Sequence, residues 1–292
     1  MTTVRVQGWF WREMAEITEK QVLQYFSEGI KLSGMDLTGL NLNRAVMSGV
    51  DFSGCDLRGI NLRGANLSGC DLSDSKLSEA NLRETNLRES DLSGSDISDA
   101  YLMEARLFAA NLCDTDLTGS NMSGAFMTGG VRLDRSILVG VNMRGADMSG
   151  GLARNADFTV SFMRGINMSD ADLSGSDLSG ATINGSIFTR ATMAAIKLRE
   201  SVLDGSTLDE ARLDGADLSK ASLRRCSFVN ASLQMAKLTG SSLNFSDFQE
   251  ADLTLADFTK VDLRGAVLIG CNMLWTDFSD TEFDDDSTAT SR

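Results

Sequence analysis

The sequence predicts an all-β solenoid, closed at its N-terminal end by a short helix. Three observations lead there. An apolar residue recurs every five positions from Leu32 to Phe283, with one change of phase. The residue two places before it is small, as in Ala65, Cys70, Ser75, Ala80 and Thr85. The other three positions of each unit are mostly polar.

A period of five matches neither the 3.6 of a helix nor the 2 of a strand. A helix would spread these leucines around its whole circumference, and a strand would alternate them between faces. A repeating turn resolves both conflicts. Each unit becomes one short side of a coil, with its central residue and the small residue two before it pointing inward. Twenty units run from Leu32 to Met127 and thirty-one from Leu133 to Phe283, fifty-one in all.

The phrase small, Asp or Asn, Leu, Ser, Gly or Asp is plain in "ANLSGCDLSD", residues 65–74. It resembles the pentapeptide repeat family over residues 30–283. The resemblance implies a right-handed quadrilateral β-helix with four units per coil, hence about 13 coils. At roughly 4.8 Å per coil the rod would be about 60 Å long. Stacking buries a continuous core that no single repeat could bury.

The chain divides into an N-terminal segment and capping helix (1–29), the repeats (30–283) and an acidic tail (284–292) expected to be disordered. In the first part, Trp9, Phe10 and Trp11 are costly to expose. They either fold back over the cap or anchor a partner or a membrane surface. "ITEKQVLQYFSEG", residues 17–29, reads as the helix. Thr18 and Gln21 make a capping box, Ile17 and Val22 a hydrophobic staple, and Gly29 the stop. Leu23 and Phe26 are expected to face the first coil.

The phase change falls at residues 128–132, where Gly129-Gly130 supplies one extra residue. Double Gly suits a bulge, which is either harmless or shapes a docking site.

With twenty residues per coil, outward residues form columns. On the second wall one column carries Asp36, Asp56, Asp96, Asp116, Asp157, Asp177, Asp217, Asp257 and Asp277, nine of its thirteen positions. It is either consensus turn chemistry or a charged docking face. The third wall is rich in Asn and Arg, including Arg83, Arg144 and Arg164. Tyr101 and Phe162 on that wall, with Phe108 and Phe126 on the fourth, occupy normally polar positions. Aromatic residues rimmed by Arg have the composition of an interface core; scattered exposed apolar residues are the plain alternative. At the far end Leu274 and Trp275 point outward, as an end cap or an end-to-end dimer contact.

The chemistry of the chain is sparse. There is no His, which removes the commonest general base. No nucleophile–base pairing and no phosphate-cradling Gly-rich loop stands out. No cofactor and no metal is expected. Cys55, Cys70, Cys226 and Cys271 fill inward positions as small apolar residues and Cys113 points outward. No run is apolar and long enough for a membrane helix, and no secretory signal is visible. A cytoplasmic protein is expected.

The excess of 41 acidic over 27 basic residues, net charge −14, argues against direct binding of nucleic acid. The favoured expectation is a non-enzymatic protein-binding scaffold or regulator, monomeric or an end-to-end homodimer, with a protein partner of unknown identity. The resemblance adds that some cyanobacterial family members act by binding other proteins. It also implies an alternative: some members mimic DNA and bind DNA gyrase, a type II topoisomerase.

Overall fold

The computed structural model describes residues 17–284 and 287–290. The chain forms two compact units, Met1–Asn142 and Met143–Arg292. Trp9, Phe10 and Trp11 lie outside the described residues.

In both units the chain winds in flat coils of four five-residue sides. Residues twenty apart pair in parallel, as Asp36 with Asp56, Asn41 with Asn61, Val46 with Asn66 and Asp51 with Asp71. Two hydrogen bonds stitch each side to its neighbours. The Leu37 N–H donates to the Asp56 carbonyl at 2.7 Å, and the Asp56 N–H donates back to the Met35 carbonyl at 2.9 Å. Each side contributes a single residue to the ladder before it turns. Longer pairing occurs between β1 (Val267–Ile269) and β2 (Thr288–Thr290), which run parallel. Part of the tail expected to be disordered thus continues the ladder.

Each corner is a turn closed from the central residue to the residue three beyond it, as from the Met35 N–H to the Leu32 carbonyl at 3.2 Å. The residue between lies in the left-handed region whether it is Gly39 (φ 66°), Arg44 (φ 58°) or Glu84 (φ 58°). Gly adopts this conformation without a Cβ penalty; the other residues are held there by the ladder.

The extra residue sits where the sequence places it. Pairing steps by twenty up to Arg106 with Phe126, then by twenty-one for Asn111 with Arg132 and for Asn121 with Asn142. Gly129 and Gly130 both have positive φ, 73° and 83°.

The central and small inward residues form the core. Leu57, Leu67, Leu107, Phe158 and Phe228 are fully buried, each worth roughly 1.5–3 kcal/mol of apolar transfer. In the second unit Phe228 and Phe248 stack with centroids 4.7 Å apart, the spacing of successive coils. Inward Ser, Thr and Cys are more than filler. Cys55 Sγ donates to the Leu32 carbonyl, Thr85 Oγ1 to that of Leu62 and Ser206 Oγ to that of Ile183. Each links a small residue to the coil before it.

Helix α1 (Glu19–Ser27) precedes the first coil. Its capping box between Thr18 and Gln21 is complete. Its end is a Schellman turn: the Ile30 N–H donates to the Tyr25 carbonyl, the Gly29 N–H to that of Phe26. The buried face differs from the expected one. Ile17 and Val22 are buried, while Leu23 is 41% and Phe26 37% exposed. The staple, with Glu19 accepting from the Asn41 N–H, sets the rotation of α1 and turns Leu23 and Phe26 outward.

Candidate partner-binding walls

The acidic column of the second wall is built into the turns. Each Asp accepts the N–H of the residue two beyond it: Asp36 from Thr38, Asp96 from Ser98, Asp157 from Thr159, Asp217 from Ser219. The same bond recurs at Asp56, Asp116, Asp177, Asp257 and Asp277. Asp therefore serves local geometry here. The column is also interrupted: Lys76 pairs in the ladder between Asp56 and Asp96, and Lys197 between Asp177 and Asp217. Lys197 Nζ lies 3.2 Å from Asp177, and Arg58 forms a two-bonded pair with Asp56. The Arg58 guanidinium holds the Asp56 carboxyl below the usual range.

The third wall of the first unit carries a side-chain amide ladder. Asn61 Nδ2 donates to Asn41 Oδ1 at 2.8 Å and Asn81 Nδ2 to Asn61 Oδ1 at 3.1 Å. Tyr101 takes the next position, 45% exposed, with the Arg83 guanidinium 5.1 Å from its ring centroid. Phe126 is 54% exposed on the fourth wall. It borders a groove of about 620 Å³ with Arg44, Glu84, Asn86, Glu104 and Arg106. Phe108, on the preceding coil of that wall, sits beneath the Arg88 guanidinium at 4.6 Å.

The expected aromatic residues fall on different walls. Tyr101 belongs to the third wall, and Phe108 and Phe126 to the fourth. Phe162 lies in the second unit, where Arg144 is 6.0 Å from its centroid; Arg164 is exposed one turn further along. What the structure adds is a recurring pair: Tyr101, Phe108, Phe162 and Phe245 each sit against an Arg from the preceding coil. It brings in residues that sequence reasoning missed, Arg88 over Phe108 and Arg225 over Phe245, the latter 6.0 Å from the ring centroid. Both pairs are spaced by twenty, the signal that would have identified them. Phe245 borders a second groove, about 570 Å³, lined by Arg224, Arg225, Asn244, Asp262 and Arg264.

Leu274 and Trp275 are 57% and 76% exposed. Cys113, expected to point outward to solvent, is buried at 5% exposure. Its Sγ lies 4.0 Å from Oδ2 of buried Asp134, which covers it one coil later. Burial pushes the Cys55, Cys70 and Cys271 thiols up to about 11 and that of Cys226 to about 12. Among the described residues no cluster of His, Cys, Asp and Glu could hold a metal ion, and no helix is long and apolar enough to cross a membrane.

These coils of five-residue sides, with central residues buried and walls laddered by single-residue bridges, define a repeat solenoid. The family described as Pentapeptide repeats matches in eight copies, over residues 28–64, 65–107, 100–131, 154–190, 186–225, 206–244 and 246–285. The chain belongs to that family, whose members form right-handed β-helices. Solved structures resemble it. HetL, involved in heterocyst differentiation regulation in the cyanobacterium Nostoc sp. strain PCC 7120, is 25% identical, covering 86% of this chain and 96% of its own (TM-score 0.38). A pentapeptide repeat protein of the Arabidopsis thaliana thylakoid lumen is 36% identical over 34% of this chain and 65% of its own (TM-score 0.27). QnrB1, a plasmid-mediated fluoroquinolone resistance protein, is 16% identical over 74% of this chain and 90% of its own (TM-score 0.35). No curated protein sequence matches.

Proposed function

We propose that the chain is a non-enzymatic, cytoplasmic scaffold or regulator of about 13 coils capped by α1, which binds a protein partner through outward aromatic residues. The supporting observation is that Tyr101 stands 45% exposed, under Arg83, in a column whose other members in the first unit, Asn41, Asn61, Asn81, Asn121 and Asn142, are all Asn. An exposed aromatic side chain held by a cation is preordered, so binding costs it little side-chain freedom. Phe126 with its groove and Phe108 form the neighbouring contact on the fourth wall. Phe162, Arg144 and Arg164 are a corresponding contact on the second unit. Trp9, Phe10 and Trp11 serve as a further anchor. Leu274 and Trp275 serve as a contact for a dimer rather than as a cap, since an exposure of 76% leaves Trp275 available.

The competing reading is an acidic rod that occupies the DNA site of a topoisomerase such as DNA gyrase. A net charge of −14 supports it. The interruptions at Lys76, Lys197 and Lys237 weigh against it, because a duplex presents an unbroken phosphate ladder.

The test is affinity capture with the wild-type chain and a Tyr101→Ser/Phe126→Ser variant of matched thermal stability. Loss of the captured partner in the variant supports the scaffold and locates its surface. Equal, salt-sensitive recovery of gyrase by both baits would replace it with the acidic wall.

A further inference from the structure

One column of corners in the second unit departs from the rest. The residue two after the first-wall centre is left-handed in every coil, and elsewhere that place is held by Gly34, Gly54, Gly94, Gly175 and Gly215 or by the small or polar Asp74, Asp114, Arg135, Asn155 and Ala195. The last three coils carry Met235 (φ 57°), Leu255 (φ 60°) and Trp275 (φ 61°) instead. They follow one another coil by coil: the Met235 N–H donates to the Thr254 carbonyl and the Leu255 N–H to that of Leu274. All three are exposed, at 58%, 54% and 76%, and Leu274 beside Trp275 is 57% exposed.

This is unfavourable twice over in an isolated unit. A bulky L-residue in the left-handed region is strained where Gly would not be. An apolar ridge in water forfeits the burial that would offset the strain. Single exposed apolar residues are ordinary; three in register in one column, each replacing a residue suited to the turn, are not.

We infer that Met235, Leu255 and Trp275 form a lateral self-association ridge, on which a second copy of the chain packs antiparallel about a twofold axis through Leu255. The flanking column supplies the complementarity. It reads Lys237, Asp257, Asp277 along the same three coils. The twofold sets Leu255 against its own equivalent and Met235 against Trp275. It also brings Lys237 of each copy opposite Asp277 of the other, two attractive pairs that outweigh the single like-charge contact of Asp257 with its own equivalent. Lys237 makes no ion pair among the described residues, whereas Lys197 in the same column does. A lipid surface is the poorer occupant, since Asp257 and Asp277 beside the ridge repel anionic headgroups. This surface takes up the Trp275 dimer contact proposed above and rests on that reading; it is separate from the outward aromatic residues Tyr101, Phe108, Phe126 and Phe162. The ridge is small against the ~800 Å² per partner of a standard interface. The dimer is therefore weak, with a Kd of roughly tens of micromolar.

Sedimentation velocity of the full chain across the micromolar range tests this. The wild type should pass from monomer to dimer. A Met235→Gly/Leu255→Gly/Trp275→Gly variant should stay monomeric while keeping or raising its melting temperature, because Gly is the residue this corner favours. Lys237→Asp should weaken the dimer about tenfold, and adding Asp277→Lys should restore it. Lys is already accommodated in this column at 76, 197 and 237, so the exchange respects the turn. A wild type that remains monomeric overturns the inference, as does a dimer that survives the triple Gly change. Failure of the charge exchange to restore association overturns the antiparallel arrangement. Ridge-dependent binding of the monomer to anionic vesicles would assign the ridge to a membrane. A blue-shifted Trp275 in a monomer that becomes exposed when residues 1–16 are removed would assign it to the chain's own N-terminal segment.

Discussion

The ring of Phe108 lies so close to Gly129 that a Cβ on Gly129 would overlap its edge, with the Arg88 guanidinium 4.6 Å from the ring centroid. The extra residue of the first unit is thus covered by an aromatic lid. Gly129→Ala should destabilise the protein by about 2 kcal/mol, combining overlap with the cost of a Cβ at φ 73°. Phe108→Ala in the same chain should recover the overlap part only. Urea denaturation of the two single variants and the double variant checks this; strict additivity would show that ring and glycine do not meet.

Inward hydroxyls divide into two classes with opposite expectations. Thr85 Oγ1 donates to the Leu62 carbonyl at 2.8 Å, so Thr85→Val should cost about 1–2 kcal/mol. The buried Ser241 hydroxyl finds no partner among the described residues. Ser241→Ala should leave stability unchanged or raise it by up to about 1 kcal/mol. Equal losses for both would contradict this division.

Acid should act through the carboxylates. The Arg264 side chain, hydrogen-bonded at 2.8 and 2.6 Å, holds Asp262 down to about 2. Its unfolded value is near 3.9. The depressed folded pKa means a stabilisation complete above about pH 4 and lost as pH falls through about 2. The difference in melting temperature between wild type and Arg264→Leu should be constant from pH 7 to about 4 and shrink below. A difference that does not change with pH would remove the pair from the acid response.

The thiols should be silent in the folded state. Burial raises Cys55, Cys70 and Cys271 to about 11 and Cys226 to about 12, and Cys113 is covered by Asp134. A thiolate-specific reagent at pH 8 should count no fast thiol in native protein and five after denaturation. Rapid reaction of one thiol would single out Cys113 as reachable.

The sequence by itself determined the coil. Its period of five, the small residue two before each apolar centre, the phase change at Gly129-Gly130 and the capping box of α1 are all local patterns. Each reads correctly because every side of the coil repeats one short rule, and stacking equal sides makes columns that arithmetic can follow. The tertiary structure decided what the outward residues do. Asp side chains of the second wall turned out to hold the turns, and Arg and aromatic side chains met across coils. Leu23 and Phe26 of α1 were turned to solvent by the burial of Ile17 and Val22. Cys113 was closed over by Asp134 on the next coil. Which of several exposed neighbours a long side chain leans on depends on its rotamer and on the coil above it. A repeat fixes the position of a residue in its column, but not the direction in which its side chain leans.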